Sequence, residues 1–310
     1  MLLEKTAVDL KSKALFGVYY SAKELIKSSE LKDFVLCETA IEKYLKSLKV
    51  SSGTIENHKN KLKNLRKFQS HIGYELNSCN FTLEVAENFK DWFCKKKKTD
   101  KRESASRNVS FFACAFNYSM RTGVIKDHSL LNYAGEKDKL SEVVYLNKDE
   151  LLILEKFNFS NGFLIRVKDL FLFQCYTGLS YMDIWQGWEV LKKGNYFIKG
   201  SRGKNKKEYL IPLTDKSIDL LLKYNFRMPK YQNAPYNRAI KEVAMICGID
   251  KNLSSHCARK TFATLQDAKG WSRESISKML GHSSIKTTER YYLGNSADRI
   301  INEFESLAWA

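Results

Sequence analysis

HCARKTFATLQDAKG, residues 256–270, and MLGHSSIKTTERYY, residues 279–292, decide how this chain is read. His256 and Arg259 stand three positions apart, so on a helix they share one face. His282 falls in a Gly-Ser break, after which Ser283 or Ser284 can cap a new helix carrying Tyr291 and Tyr292. Adjacent helical residues project about 100° apart, so only one of the two tyrosines can aim into a given site. Alone, a His-x-x-Arg pair is an ordinary surface cluster and a Tyr-Tyr pair is ordinary packing. The informative feature is their joint order in a strongly basic chain: His-x-x-Arg, then Leu-Gly-His, then nine residues to a tyrosine.

Working outward, the chain before this region changes period. YLNKDELLIL, from Tyr145, opens with Asn147 and Glu150 at capping-box spacing. GFLIRVKDLFLFQCYTG is apolar on most faces and predicts a buried central helix ending at Gly178. Tyr196–Lys199 and Glu208–Pro212 read as two short strands with SRGKNKK as the turn between them. The pattern is then helical again almost to the end. Earlier still, FVLCETAIEKYLKSL from Phe34, a helix capped at Ser51 or Ser52 and stopped at Gly73, FTLEVAENFKDWFCKK, and RNVSFFACAFNYSMRTG predict a four-helix bundle. The charged, aperiodic stretch 134–142 predicts a linker. The expected organisation is an extension over 1–33, a helical domain over 34–133, that linker, and a second domain over 143–310, mainly α with one small antiparallel sheet (α+β).

Bulk properties narrow the class. With 310 residues, more than one core is expected. Lys+Arg outnumber Asp+Glu 52 to 35, a formal charge of +17, and a polyanion is the natural partner for such an excess. Seven cysteines with no Cys-x-x-Cys pair argue against a zinc ribbon or a disulfide framework and fit a reducing cytoplasm. Neither an apolar signal region at the amino terminus nor an apolar run long enough to span a membrane is found. The sequence carries no metal-ligand spacing and no phosphate-binding glycine loop.

The carboxy-terminal half resembles the tyrosine recombinases, also called phage integrases. HCARKTFAT matches their His-x-x-Arg box, LGHSSIKTTERY matches Leu-Gly-His followed by the nucleophilic tyrosine, and GKNKKEYLIPL matches the hairpin bearing their lysine. The segment from about 34 to 130 is similar to their core-binding domain on weaker motifs. TGLSYMDI, with Ser180 where arginine is usual, resembles integrases of Bacteroides-type mobile elements. Many of those carry an arm-binding domain in front, which the roughly 33 residues before the bundle are not expected to supply.

The resemblance implies a clamp on double-stranded DNA, with homotetramers on paired recombination sites and a possible host DNA-bending protein. It also implies chemistry without ATP or metal, through a 3′-phosphotyrosine. Transesterification at phosphorus builds negative charge on the non-bridging oxygens, which a guanidinium fork suits, and this is the role implied for Arg259. His256 and His282 would hydrogen-bond the same phosphate, and a histidine there can take the nucleophile's proton. Lys204, eight residues before Pro212, would protonate the departing 5′-oxygen, with Lys206 and Lys207 as rivals. The nine-residue spacing from His282 selects Tyr291 as nucleophile. Asp183 matches an acidic position that orients neighbours.

A serine at 180 leaves one cation missing. Arg166, fourteen residues earlier, is about 21 Å away along a straight helix, so Arg202, two residues before Lys204, is the better substitute. From the bundle, Lys59, Lys63 and Arg66 are the expected phosphate contacts. Two other readings stay open: a DNA-binding protein of this fold that has lost catalysis, and a basic nucleic-acid-binding scaffold.

Tyr291→Phe removes one phenolic oxygen, so it should abolish covalent capture of a nicked suicide DNA substrate while leaving DNA binding nearly intact. Tyr292→Phe should retain capture. Loss of capture in the second variant alone would put the nucleophile one residue later.

Overall fold

A computed structural model describes residues 34–99, 102–136, 143–204 and 206–291, with only the backbone described at Arg290 and Tyr291. The expected extension over 1–33, most of the expected linker, and Tyr292 lie outside the described residues. The chain divides into two compact units at Leu140–Ser141.

The first unit is built on four helices: α1 (Cys37–Ser47), α2 (Ser52–Ile72), α3 (Leu83–Lys97) and α4 (Arg102–Arg121). The Ser51 side chain accepts the Thr54 N–H at the start of α2, and Gly73, at φ 80°, ends it in the left-handed region. Leu62, Leu65 and Phe68 of α2 are buried with Phe89 of α3 and with Phe112 and Phe116 of α4. Phe68 and Phe112 both meet the Phe89 ring edge-on, at centroid distances of 5.2 and 5.6 Å.

Two starts differ from the sequence pattern. Residues 34–36 are extended instead of helical, because the Val35 N–H donates to Ser78 Oγ and Leu36 bridges Asn77. Helix α4 begins five residues earlier than its apolar run, because Ala105 and Ser106 are buried and Arg102 pairs with Glu87 and Asp91 of α3. The described part of the 134–142 stretch packs on the bundle, where Glu136 pairs at 2.6 Å with the buried Lys90.

The second unit is organised around α6 (Gly162–Thr177), preceded by α5 (Lys148–Lys156), whose Asn147–Glu150 capping box forms in full. Helix α6 buries residues on nearly every face. It packs against α7 (Asp215–Lys223), α8 (Asn233–Ile246) and α9 (Ser255–Ala268). A short 3₁₀ turn, Asp183–Trp185, leads into a three-stranded antiparallel sheet of β1 (Glu189–Lys193), β2 (Asn195–Ser201) and β3 (Glu208–Pro212) in the order β1-β2-β3. Ile198 pairs with Ile211 across β2 and β3, and both are fully buried. Strand β1 has no counterpart in the sequence reading. Glu189, Val190, Leu191, Lys192 and Lys193 show no alternation, and the strand exists through its ladder with β2 across the turn at Gly194, φ 69°. Helix α10 (Arg273–Met279) lies against β3, and α11 (Ile285–Tyr291) against α10. Among the described residues no helix is long and apolar enough to cross a membrane.

Gly178 joins the central helix to the site. It caps α6 at φ 63°, and a Cβ there would lie 2.5 Å from the Phe262 ring of α9. Gly178→Ala combines a left-handed alanine with overpacking, so it should destabilise the second unit by about 2–4 kcal/mol. Chemical denaturation followed by tryptophan fluorescence should show the lowered midpoint, whereas Gly187→Ala, where a Cβ meets nothing within 4 Å, should leave it unchanged.

Candidate active site

Arg259 is 4% exposed on the first turns of α9, and its guanidinium holds three pieces of chain together. Nη1 donates to the Gly178 carbonyl at 2.6 Å, and Nη2 donates to the Leu280 carbonyl. Nη2 also lies 2.9 Å from His282 Nε2. A guanidinium only donates, so Nε2 accepts, and the neutral ring then carries its proton on Nδ1. That Nδ1 stands 2.8 Å from the hydroxyl of the fully buried Thr288. Burial lowers the His282 pKa to about 4, with Arg202 and His256 adding like-charge repulsion. His256 is lowered as well, by burial first and then by Lys260. As a whole residue His256 is nevertheless exposed.

The turn between β2 and β3 supplies the other cation. Arg202 is only 5% exposed, so it is not an arm waving in solvent but a group set into the wall of the site. Its Nη1 donates to Asp183 Oδ2, which also accepts from the Ser180 hydroxyl. Asp183 Oδ1 accepts the Gly203 N–H at 3.2 Å. The guanidinium carbon lies 5.1 Å over the Tyr209 ring, and burial, then Asp183, pushes that phenol up to about 12. Arg202 rests on Gly281, where a Cβ would come within 2.7 Å of Cγ. Arg202 and Arg259 therefore hold the Leu280–His282 segment between them. Among the described residues, Arg202 Nε and Nη2 are buried with no acceptor. Leaving a buried donor unmet costs about 1–3 kcal/mol, so two such donors beside two imidazoles form a cradle for an anion.

The structure thus gathers His256, Arg259, His282 and Arg202, and Asp183 takes an orienting position. Lys204 is exposed in the β2–β3 turn, two residues beyond Arg202. Tyr291 is the last described residue of α11, which begins directly after Ser284. In the first unit, Lys59, Lys63 and Arg66 line one groove of about 360 Å³ together with Glu42 and Lys46. Arg66 is committed to carboxylates there, at 2.6 Å to Glu38 and 3.0 Å to Glu42, while Lys63 leans on Glu56 at 3.6 Å. Sequence reasoning missed Thr288. Its spacing, three residues before Tyr291, places it on the same helix face, and that was the available signal.

In a mostly helical protein with a small antiparallel sheet, a His-x-x-Arg helix and a Leu-Gly-His loop thus converge beside two buried guanidiniums. The Phage integrase family profile matches residues 145–298, and the Phage integrase SAM-like domain matches residues 34–137. A tyrosine recombinase of Thermosipho africanus is 26% identical over 261 residues, covering 78% of this chain and 88% of the relative. A tyrosine recombinase XerC of Rickettsia bellii is 23% identical over 274 residues, covering 81% and 89%. Among solved structures, the Tn1549 transposon integrase in complex with transposon right end DNA is similar with TM-score 0.62 and 16% identity, covering 88% of this chain and 100% of that one. A lambda integrase dimer bound to a COC′ core site is similar with TM-score 0.66 and 16% identity, covering 85% and 97%. The chain belongs to the phage integrase family of tyrosine recombinases, site-specific DNA recombinases that cut and rejoin strands.

The folded state favours neutral His282, so the stability it contributes is complete above about pH 6.5 and is lost as pH falls toward about 4. Histidine NMR should place its midpoint near pH 4 and move it upward in Arg202→Gln, where a like charge is removed. A midpoint at or above the ordinary value of 6.5 would overturn this arrangement.

Proposed function

We propose that this chain is the integrase of a mobile element, cutting and rejoining DNA through Tyr291. The Tyr291 phenolic oxygen attacks the scissile phosphorus, forming a 3′-phosphotyrosine as the bond from phosphorus to the 5′-oxygen breaks. The phenol proton passes to a site histidine, His256 or His282, and Lys204 gives a proton to the departing 5′-oxygen. Attack by a 5′-hydroxyl from the partner strand reverses the step, and the phosphotyrosine conserves the energy of the original phosphodiester. No ATP or metal enters this scheme. Arg259 and Arg202 hold the non-bridging oxygens.

The observation that carries this reading is the pair of unmet donors on buried Arg202, beside Arg259 and the two histidines. Arg202 takes the place of the cation that Ser180 does not provide: Asp183 holds Arg202 by Nη1 and leaves Nε and Nη2 for the phosphate. The charge of +17 supports a clamp in which both units neutralise backbone phosphates. Lys59 and Lys63 contribute from the bundle, and Arg66 does so by exchanging a carboxylate for a phosphate. Recombination on two paired duplexes calls for four copies of the chain, and a host bending protein would serve sites too far apart to meet by themselves. The enzyme works where the DNA is, in the bacterial cytoplasm on the nucleoid.

The test is covalent capture on a nicked suicide substrate. Losing one preorganised donor typically costs about 10²–10³ in rate, so Arg202→Ala should slow capture by that factor while DNA affinity changes little. Ser180→Arg should partly rescue it, because the new guanidinium finds the vacated Asp183. In the otherwise native enzyme, Ser180→Arg should slow capture by crowding two guanidiniums on one carboxylate. If Arg202→Ala slows cleavage only as much as it weakens binding, Arg202 contacts flanking backbone instead. Absence of any covalent product in the native enzyme would favour a DNA-binding protein without catalysis.

A further inference from the structure

We infer that Thr288 is a positioning residue that couples the ring of His282 to the helix carrying Tyr291. The inference rests on the reading of Tyr291 as nucleophile and goes beyond it by assigning a role to a side chain that never meets the substrate. Helix α11 is described from Ile285 to Tyr291, and tertiary contacts along that stretch set where it lies against the site. Among the described side chains its contacts include two polar ones. On its outer side Glu289 pairs with Arg273 of α10 at 3.2 Å, where both side chains are close to half exposed and the bond is weak. On its inner side the fully buried Thr288 hydroxyl meets His282 Nδ1 at 2.8 Å. The inner contact is the one able to fix the helix relative to the site.

The direction of that hydrogen bond gives it a second consequence. Arg259 Nη2 occupies Nε2 as donor, so Nδ1–H donates to the threonine oxygen. A hydroxyl oxygen accepts from Nδ1–H when the ring is neutral and more strongly when it is cationic. A proton arriving at Nε2 displaces the Arg259 N–H from that atom but leaves Nδ1–H on the threonine oxygen, so the tether to α11 stays in place. Among the described residues, the charged and titratable groups that act on the ring are Arg259 and His256 of α9 and Arg202 of the β2–β3 turn, with Arg259 at Nε2. Thr288 lies three residues, about one helical turn, before Tyr291. One hydroxyl thus ties ring orientation to the register of the helix that delivers the phenol.

Thr288→Val keeps volume and β-branching and deletes the hydroxyl, whereas Thr288→Ser keeps the hydroxyl. A hydrogen bond of this kind corresponds to about a 10- to 100-fold change. Capture on the suicide substrate should slow by that factor in the valine variant, and the serine variant should stay within a few-fold of native. DNA affinity by gel shift should be equal in all three. Nitrogen-15 histidine NMR should find His282 as the Nδ1–H tautomer in the native and serine proteins and as a mixture in the valine protein. Thr288→Ala provides the same readouts should valine fail to fold. Native-rate capture in both valine and alanine proteins, equal slowing in serine and valine, or an unchanged tautomer without the hydroxyl would each overturn the inference. A native enzyme that forms no covalent product defeats the nucleophile reading instead, and the tautomer measurement separates the two failures.

Discussion

The buried Arg259 guanidinium is the constraint around which the catalytic unit is arranged. A guanidinium at 4% exposure must find acceptors or destabilise the fold, and it finds them in the backbone carbonyls of Gly178 and Leu280. Those carbonyls belong to the end of the central helix and to the end of α10, so satisfying one charge docks both ends against α9. Gly178 can make this approach only without a side chain, since Phe262 fills the space where a Cβ would stand. The loop bearing His282 follows from the same bond, because the donor that meets Leu280 also meets the imidazole. Fold stability and readiness for an anion are therefore properties of the same few hydrogen bonds.

Around that centre, the acidic residue three after Ser180 has an assignment of its own. Asp183 is buried, and with no arginine at 180 it turns one oxygen to the Ser180 hydroxyl and to Arg202 from a different element. The carboxylate thus holds a cation supplied by the β2–β3 turn. Gly281 and Gly203 leave room for it. A Cβ at the first would strike Arg202, and at the second it would overlap Gln186. Burial, with Arg202 and His256 adding to it, then keeps His282 neutral near neutral pH.

Much of this was readable beforehand where a signal is local. The Asn147–Glu150 capping box, the all-round apolar helix ending at Gly178, and the α2 boundaries at Ser51 and Gly73 depend on neighbours within a few residues, and they appear as the pattern predicts. Strand β1 was illegible because its residues carry no alternation and its partner supplies the ordering. The extended start at 34–36 has no local signal for the same reason, since its partners lie at Asn77 and Ser78.

The residues of the site show the same division. Chain order and spacing single out His256, Arg259, His282 and Tyr291, and the roles expected of them come from the resemblance to the tyrosine recombinases. Nothing in one dimension could say that Arg202 would be buried against Asp183, that Arg66 would spend its charge on Glu38 and Glu42, or that Thr288 would meet the His282 ring. Each of those depends on which unlike element comes within about 3 Å, and that distance is set by the packing of the whole unit, whereas spacing along the chain is set by covalent geometry.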